Sequence, residues 1–420
     1  MTLEGSAIDA SIDTWESLAA LAERWGPSYY LADLGRFEEN ARRLVRAFRT
    51  RYPRTNIGYS YKANYLPAYI LRADALGAYA EVVSSFEYDL ARELGIPASR
   101  IIFNGPVKRR PDLQRALGAG ALVNADSVAE IWEMLRVAEG LGRRAAVGVR
   151  VNLGSQADSR FGVDLRAPEA LEALKALDAS PHLRLSGLHF HYSGDRSEAH
   201  YRERTRAVIA LHAEVLGGRP LDYLDMGGGF AGAMSPELAR QLSSEPASFD
   251  DYARAIAGEL LAAYGAGGPA LIIEPGMALV ADTMAFVTRV EAVKARPRPL
   301  AVVDGSGLNV QPAWNLFRGI NPPMRAVSAS RAHARDLGPF DIVGQTCIER
   351  DTLYAGYGGP LAAGDYLWFD NVGAYANALN APFIRGTPPI LDHRGTGEAA
   401  VLRPGSTAKD LVKSYAGGVT

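Results

Sequence analysis

Short apolar segments alternate with longer amphipathic segments over about residues 35–280. The apolar segments predict β-strands, and the stretches between them, such as 127–141 and 201–216, have apolar residues at helical spacing. Asp126 is the predicted N-cap of the first of these two helices. Alternation of this kind predicts parallel strands joined by crossover helices. The eight predicted strands are Ile57 to Tyr61, Ala78 to Val83, Ile101 to Phe103, Ala121 to Val123, Ala145 to Val151, Leu185 to His191, Tyr223 to Met226 and Ala270 to Ile273.

Eight strand–helix units in about 250 residues predict an α/β fold built as a closed (β/α)8 TIM-type barrel. An open, doubly wound sheet is the alternative. In such a sheet the reactive residues gather at one switch point. Here the residues with reactive side chains follow the ends of many strands, which favours the barrel.

The pattern changes after residue 280, where strand-like segments are separated by Pro- and Gly-rich stretches. We therefore predict a barrel over residues 36–280 and a mostly β C-terminal domain, a β-barrel or sandwich, over residues 281–420. The first 35 residues are predicted to add a helix (Thr14 to Trp25) and an edge strand (Ser28 to Leu31) to the β domain. Within that domain a helical pattern returns only over Ala374 to Asn380.

The composition is that of an ordinary globular protein: 420 residues, 48% hydrophobic and 22% charged, with a net charge of −2. This balance favours neither nucleic acid nor an anionic membrane as a partner. No apolar run is long enough to predict a membrane span, and the N-terminus lacks the pattern of a signal peptide. The single cysteine excludes an internal disulfide. We expect a cytoplasmic protein.

At the ends of four predicted strands lie residues suited to catalysis or ligand binding: Lys62, the pair His189 and His191, the triplet Gly227 to Gly229, and Glu274. Pyridoxal 5′-phosphate (PLP) needs this set, namely a lysine for its aldehyde, a flat partner for its ring, N–H groups for its phosphate and a carboxylate for its pyridine nitrogen. Each feature also has an ordinary alternative. These are a solvated lysine, a hydrogen-bonded structural histidine, a glycine turn and a carboxylate paired with an arginine.

His189 and His191 share one face of their predicted strand, because alternate residues point the same way. The later residue, His191, is nearer the barrel mouth and is the predicted stacking partner, whereas His189 is predicted to be structural. No metal site is predicted, because neither a cysteine nor a pair of carboxylates stands at ligand spacing.

Two further candidates belong to the predicted β domain. Cys347 lies in a predicted loop that also contains ionisable residues, which makes its thiol a candidate proton donor. A small buried residue is the alternative for this cysteine. Tyr375 is predicted either to contact a phosphate or to pack.

These motifs together resemble the fold type III PLP-dependent decarboxylases over nearly the whole chain. That family includes diaminopimelate, ornithine and arginine decarboxylases and is related to alanine racemase. The matching motifs are Lys62-Ala63-Asn64, His191-Tyr192-Ser193-Gly194, Gly227-Gly228-Gly229-Phe230, Glu274-Pro275-Gly276, Gly344 to Cys347 and Gly373 to Tyr375.

The resemblance implies a PLP-dependent carboxy-lyase that acts as a homodimer, in which each subunit donates its Cys347 loop to the other. The family has His-x-Gly-Ser where this chain has the last two residues exchanged, so either Ser193 or Gly194 is the implied phosphate ligand. Glu81, Arg150 and Gly276 complete the candidate cofactor-binding residues.

The chain departs from the family at positions that face the substrate. Met277 stands where the family usually carries Arg after Glu-Pro-Gly. Gln311 and Asn315 replace the Arg and Tyr of the Arg-Pro-x-x-Tyr motif of diaminopimelate decarboxylases. Ile348 follows the cysteine, where the family has an acid, and Glu349 is displaced by one position. Each lost charged contact removes on the order of a few kcal/mol of substrate binding.

These departures predict a substrate whose far end is neutral, bulky or attached to another group, such as a carrier-protein-bound amino acid or a siderophore or antibiotic intermediate. Arg160 and Asp351 are further candidate substrate contacts. The alternatives are an amino-acid racemase on the same fold, a PLP-binding homeostasis protein without enzymatic activity, and a sugar-phosphate enzyme built on a barrel.

Overall fold

The computed structural model describes residues 13–142, 144–154, 159–192, 194–242, 244–310, 319–330, 334, 336–393 and 400–415. They form two compact units. The barrel unit comprises the described parts of 38–231 and 243–278, and the β unit those of 1–37, 232–242 and 279–420. We propose that the two units are the domains of the protein. The boundaries at residues 35 and 280 stay a prediction.

Helices and strands follow each other in the order that the sequence pattern indicates. The helices are α1 (Trp15–Trp25), α2 (Leu34–Arg49), α3 (Pro67–Ala75), α4 (Ser85–Glu93), α5 (Arg110–Ala119), α6 (Val128–Ala138), α7 (Pro168–Ala179), α8 (Glu198–Leu216), α9 (Pro236–Ala239), α10 (Phe249–Tyr264), α11 (Met277–Val280) and α12 (Ala408–Tyr415). The strands are β1 (Ser28–Ala32), β2 (Thr55–Ser60), β3 (Tyr79–Val82), β4 (Ile101–Phe103), β5 (Leu122–Ala125), β6 (Ala145–Arg150), β7 (Leu183–His189), β8 (Tyr223–Asp225), β9 (Ala270–Ile273), β10 (Met284–Lys294), β11 (Leu300–Val303), β12 (Met324–Val327), β13 (Phe340–Val343), β14 (Thr352–Tyr357), β15 (Tyr366–Phe369), β16 (Ile390–Asp392) and β17 (Ala400–Arg403).

Strands β2 to β9 close into a parallel eight-stranded barrel, in which β9 pairs with β2. This confirms the predicted TIM-type barrel and excludes the open sheet. Its strands are buried because helices cover the outer face of such a barrel and side chains fill its interior. Ile102, Tyr223 and Ile272 form part of that interior. Strand β7 ends at His189, so His191 lies two residues beyond the strand rather than within it.

Side-chain caps determine where several crossover helices begin. Ser84 accepts a hydrogen bond from the N–H of Glu87 at 3.2 Å, which starts α4. Ser127 does the same for the N–H of Glu130 at 3.2 Å. The prediction of Asp126 as the N-cap was therefore wrong by one residue. Either residue type can cap a helix, and the Asp126 carboxylate instead lies 3.2 Å from the guanidinium of Arg150.

The β unit contains one nine-stranded mixed sheet, which confirms the mostly β class of the second domain. Its core includes Leu18 of α1, Tyr29 of β1 and Trp368 of β15, all fully buried. The prediction of an edge strand at residues 28–31 was wrong. Strand β1 pairs with β10 on one side and with β16 on the other, and all five of its residues are buried.

The helical pattern over residues 374–380 also differs from the structure, which has consecutive turns there. Tyr375 has a positive φ of 66°, which is incompatible with a right-handed helix. Among the described residues, no helix combines the length and the apolar character that crossing a bilayer requires.

Candidate active site

Lys62 lies in a short 3-10 turn, Tyr61–Ala63, directly after barrel strand β2. Its Nζ donates to Ser60 Oγ at 2.7 Å and forms a close ion pair with Glu81. The Lys62 side chain is 32% exposed, whereas Glu81 is buried at 1%. The strand end thus holds an amine that solvent-borne molecules can reach, with a buried carboxylate behind it.

Glu81 and Glu274 are linked by one amide group. The Nδ2 of Asn104 donates to Glu81 Oε1 at 3.0 Å and to Glu274 Oε1 at 2.6 Å. The Oδ1 of Asn104 accepts from Asn124 at 2.8 Å. A buried network therefore runs from Lys62 through Glu81 and Asn104 to Glu274. Sequence reasoning noted Asn104 only as a small match to the family, and its link to both carboxylates becomes visible in the fold.

Glu274 also lies beside His189 and Asp225, and ligand atoms of all three buried residues lie within 4.8 Å of one another. The pKa of Asp225 is raised well above its ordinary value, by burial and by the neighbouring charge of Glu274. Burial alone would raise the pKa of Glu274 too, but His189 and Lys62 outweigh it and lower that pKa. Glu274 is therefore ionised at pH 7, and the neutral form of Asp225 is favoured beside it.

The prediction of no metal site rested on the lack of paired carboxylates at ligand spacing. The fold nevertheless brings two carboxylates, Asp225 and Glu274, together beside His189. Both ring nitrogens of His189 and Asp225 Oδ2 are buried without a hydrogen-bond partner among the described residues. Strand register explains the meeting, since His189 pairs with Asp225 across β7 and β8. Glu274 Oε1 already accepts from Asn104, and His189 Nε2 lies 3.4 Å from Glu274 Oε2. We propose that the protonated pyridine nitrogen of PLP is the cation that would balance the buried charge of Glu274.

His191 lies against the glycine triplet. Its Nδ1 accepts a hydrogen bond from the N–H of Gly228 at 3.0 Å, so the ring proton resides on Nε2. Burial and the charge of Lys62 lower the pKa of His191 well below its ordinary value. The ring is therefore neutral at pH 7, which suits a flat stacking surface.

The glycine triplet forms a cradle that side chains would fill. A Cβ on Gly228 would lie 2.2 Å from the carbonyl oxygen of Glu274, and Gly227 has a positive φ of 64°. The N–H groups of Gly229, Phe230 and Gly276 donate to no acceptor among the described residues. Such converging N–H groups bind anions, phosphate above all.

Arg150, at the end of β6, is buried and held on three sides. Its Nη1 lies 3.2 Å from Asp126 Oδ1, and its Nη2 donates to the carbonyl of His191 at 3.2 Å. Its guanidinium also lies 4.5 Å from the ring centre of Phe161, which Arg160 approaches from 4.4 Å. Arg150 thus supports the segment that carries His191, and Arg160 lies next to it.

The remaining barrel candidate, Met277, begins α11 and is 6% exposed. Its Sδ lies 3.4 Å from Nη1 of Arg196. Sequence reasoning missed Arg196. The signal available was an arginine five residues after the stacking histidine, in a chain that lacks one after Glu-Pro-Gly.

The β unit holds the loop with the thiol. Cys347 is exposed and forms no disulfide, Ile348 is 47% exposed, and Glu349 is exposed. The carboxylate of Asp351 accepts hydrogen bonds within the β unit alone, from Thr346 Oγ1 at 2.6 Å among others. The role of Asp351 as a substrate contact stays an untested prediction, and its geometry is that of a residue that shapes the loop.

The remaining predicted site residues are Tyr375, whose role the structure does not test, and three residues that it does not describe. The Tyr375 carbonyl accepts from the N–H of Leu379 at 3.0 Å within the turns of the β unit. Its predicted contact with the phosphate stays untested. Ser193, Gln311 and Asn315 lie outside the described residues.

The barrel residues fit PLP at each of its functional groups. Lys62 would supply the amine, His191 the flat neutral ring, Gly227 to Gly229 and Gly276 the anion cradle, and Glu274 the ionised carboxylate. This combination defines a PLP-dependent enzyme of the TIM-barrel type.

Comparison with known proteins gives the family. Residues 38–281 match the family model described as the pyridoxal binding domain of pyridoxal-dependent decarboxylases. The chain is 34% identical over 409 residues to a diaminopimelate decarboxylase of Actinosynnema pretiosum, which covers 94% of this chain and 90% of that protein. It is 29% identical to the diaminopimelate decarboxylase of Methanothermobacter thermautotrophicus, over 94% of this chain and 92% of that one.

A solved structure agrees with the fold. The crystal structure of diaminopimelate decarboxylase from Helicobacter pylori complexed with L-lysine superimposes with a TM-score of 0.82 at 24% identity, covering 96% of this chain and all of that one. The chain belongs to the fold type III PLP-dependent decarboxylases, the family of ornithine, arginine and diaminopimelate decarboxylases. It is a PLP-dependent carboxy-lyase acting on an amino acid, and this favours decarboxylation over the racemase and non-enzymatic alternatives.

Proposed function

We propose that this decarboxylase acts on an amino-acid-derived substrate whose far end carries no free charge. An amino acid joined to a carrier protein through its distal carboxyl group, with the α-carboxylate free, has that chemistry, and so does a siderophore or antibiotic precursor with an uncharged far end. The observation that carries the proposal is Ile348, an apolar side chain that is 47% exposed next to the Cys347 thiol, where the family has an acid. An exposed isoleucine offers no counter-charge to a distal ammonium group.

The residues around the cofactor site suit the release of CO2. PLP, when bound, takes up the electron pair left on Cα when the carboxylate leaves. Ionised Glu274 would stabilise a proton on the pyridine nitrogen, and neutral His191 would lie against the ring without adding charge. We propose that Cα then receives a proton from Cys347 of the partner subunit or from the Lys62 amine, and that the product is an amine.

A second candidate substrate is diaminopimelate itself. Several relatives are diaminopimelate decarboxylases, and the one from Actinosynnema pretiosum is 34% identical to this chain over 409 aligned residues. This similarity favours diaminopimelate as the substrate. Diaminopimelate has a charged ammonium and carboxylate at its far end. The departures at Gln311, Asn315 and Ile348 count against that substrate, because each removes a charged or hydrogen-bonding partner.

The test is CO2 release by PLP-loaded protein in D2O, with free L- and D-amino acids including meso-diaminopimelate, and with carrier-protein thioesters of dicarboxylic amino acids. Each thioester is made through the distal carboxyl group, so that the α-carboxylate is free to leave as CO2. We expect kcat/KM for a thioester to exceed that for the matching free acid by at least about tenfold, a difference of about 1.4 kcal/mol. Faster turnover of meso-diaminopimelate would replace the proposal by the second candidate. Deuterium entering Cα without CO2 would revive the racemase alternative.

The test variant for the reactive amine is Lys62→Ala, which removes the amine and leaves the rest of the chain unchanged. It should show neither turnover nor the visible absorbance of lysine-bound PLP. Lys175→Ala, an exposed lysine on α7, should behave as the wild type. CO2 release by Lys62→Ala at the wild-type rate would contradict the role of Lys62 at this site.

A further inference from the structure

We propose that Arg196 supplies the cationic contact to the PLP phosphate in this protein, in place of an arginine after Glu-Pro-Gly. The chain has Met277 at that position. The inference concerns how the cofactor is held and is independent of the substrate. It can therefore fail while the proposed function stands, and the reverse.

The guanidinium of Arg196 is held at the glycine triplet by its own contacts. Its Nη1 donates to the carbonyl of Gly229 at 3.0 Å and lies 3.4 Å from the carbonyl of Phe230. The same atom lies 3.4 Å from Met277 Sδ. Arg196 thus reaches the position of the missing arginine from a different segment of the chain.

Part of the guanidinium remains available for an anion. All three contacts involve Nη1, and Nε and Nη2 donate to no acceptor among the described residues. The neighbouring N–H groups of Gly229 and Phe230 are likewise without an acceptor in the described part of the chain. A guanidinium edge and converging N–H groups are what a phosphate dianion binds best.

The backbone of Arg196 is fixed as well. Its carbonyl accepts from the hydroxyl of Tyr252 at 2.8 Å and from the N–H of Ala247 at 3.2 Å. The adjacent carboxylate of Asp195 accepts a hydrogen bond from the N–H of Ser197 at 2.8 Å. A side chain placed by its backbone loses less entropy when it binds.

Two other buried cations near the site are paired with carboxylates. Lys108 pairs with Glu130 at 2.8 Å, and Arg150 lies 3.2 Å from Asp126. Arg204 has a buried Nε without a hydrogen-bond partner among the described residues, but it lies 4.2 Å from the ring centre of Tyr192 and donates to the carbonyl of Asp195 at 3.4 Å, not to the glycine triplet. Arg196 is therefore the cation that the geometry assigns to the phosphate.

The experiment compares two probes on the apo protein, PLP and pyridoxal, which lacks the phosphate. In Arg196→Met the dissociation constant for PLP should rise on the order of 10- to 100-fold, the effect of losing a charged hydrogen bond. The dissociation constant for pyridoxal should stay within about twofold of the wild type. Arg196→Met/Met277→Arg should recover most of the PLP affinity, because it returns a guanidinium to the same anion.

Controls separate this role from a structural one. Arg196→Gln keeps an N–H donor for the Gly229 carbonyl but no charge, so it replaces Arg196→Met if that variant does not fold. Arg206→Met, on the exposed side of α8, should bind PLP as the wild type does. Equal weakening of PLP and pyridoxal by Arg196→Gln, or no weakening of PLP, would overturn the proposal.

Discussion

The side-chain amide of Asn104 donates a hydrogen bond of 2.6 Å to Oε1 of Glu274, at the carboxyl ends of two barrel strands that are not neighbours. The same amide donates to Glu81 at 3.0 Å. One neutral residue thus separates two buried carboxylates and fixes both. Because Glu81 also pairs with Lys62, the position of the reactive amine depends on Asn104 as well.

Replacing Asn104 by Asp should therefore destabilise the fold and impair the site together. The change removes two donors to buried carboxylates and adds a third negative charge. We expect a loss of about 2–4 kcal/mol in the free energy of unfolding and weaker PLP binding. Denaturant unfolding and PLP titration measure both. Gln114→Glu, the same amide-to-acid change at an exposed position of α5, is the control and should change neither by more than about 0.5 kcal/mol. A stable Asn104→Asp with normal PLP affinity would contradict the bridging role.

The glycine cradle makes a second prediction, which concerns cofactor binding more than stability. In Gly228→Ala the new Cβ would lie 2.2 Å from the Glu274 carbonyl oxygen, and the N–H that His191 accepts would move. We expect at least a tenfold rise in the dissociation constant for PLP, about 1.4 kcal/mol.

The matched control is Gly258→Ala in helix α10, where an added Cβ meets no atom within 4 Å. That variant should be more stable than the wild type by up to about 1 kcal/mol, because alanine favours a helix over glycine. PLP affinity of Gly228→Ala equal to that of Gly258→Ala would refute the close approach at residue 228.

The sequence was sufficient for the parts of the fold that depend on local periodicity. The barrel strands alternate with amphipathic helices in the order of the chain, so each strand pairs with the one before it. The environment of β1 could not be obtained in this way. Its second partner is β16, about 360 residues later in the chain. Nothing local marks a strand as central when its neighbours come from such distant segments.

The same limit applies to the candidate site. Lys62, His191 and Glu274 each follow a strand, and the common edge of parallel strands predicts that they meet. The opposite pKa shifts of Asp225 and Glu274 depend on burial and on distances below 5 Å, which spacing along the chain does not fix. Arg196 reaches Met277 because a loop folds back, and no periodicity predicts that.

Glu87 predicts a dependence of stability on pH. Burial, and to a smaller extent the charge of Glu81, raises the pKa of Glu87 to about 7. The hydrogen bond from the N–H of Val83 acts in the opposite direction and lowers this pKa, but it does not outweigh burial. Below the pKa of the unfolded chain, near 4.5, the carboxyl is protonated in both states, and its full contribution to stability is present. As the pH rises towards 7 the unfolded state ionises first, so stability is lost, on the order of 3 kcal/mol in total.

Glu87→Gln tests this, since the amide oxygen still accepts from Val83 and the side chain cannot ionise. Between pH 5 and pH 8 the free energy of unfolding of the wild type should fall relative to that of Glu87→Gln, as measured by urea unfolding of the apo protein. Glu93→Gln, exposed at the other end of α4, should run parallel to the wild type. A constant difference between wild type and Glu87→Gln across this range would show that Glu87 ionises normally.

The last prediction concerns the proposed homodimer, in which the Cys347 loop completes the site of the other subunit. Lys62→Ala and Cys347→Ala proteins, mixed under conditions that exchange subunits, should form heterodimers with one intact site out of two. With random exchange, activity should recover to about one quarter of the wild-type level. Mixing Lys62→Ala with Glu274→Ala gives no intact site, because both residues lie in the same barrel, and should remain inactive. If the first mixture is as inactive as the second while mass measurements show exchanged dimers, the thiol acts within its own subunit.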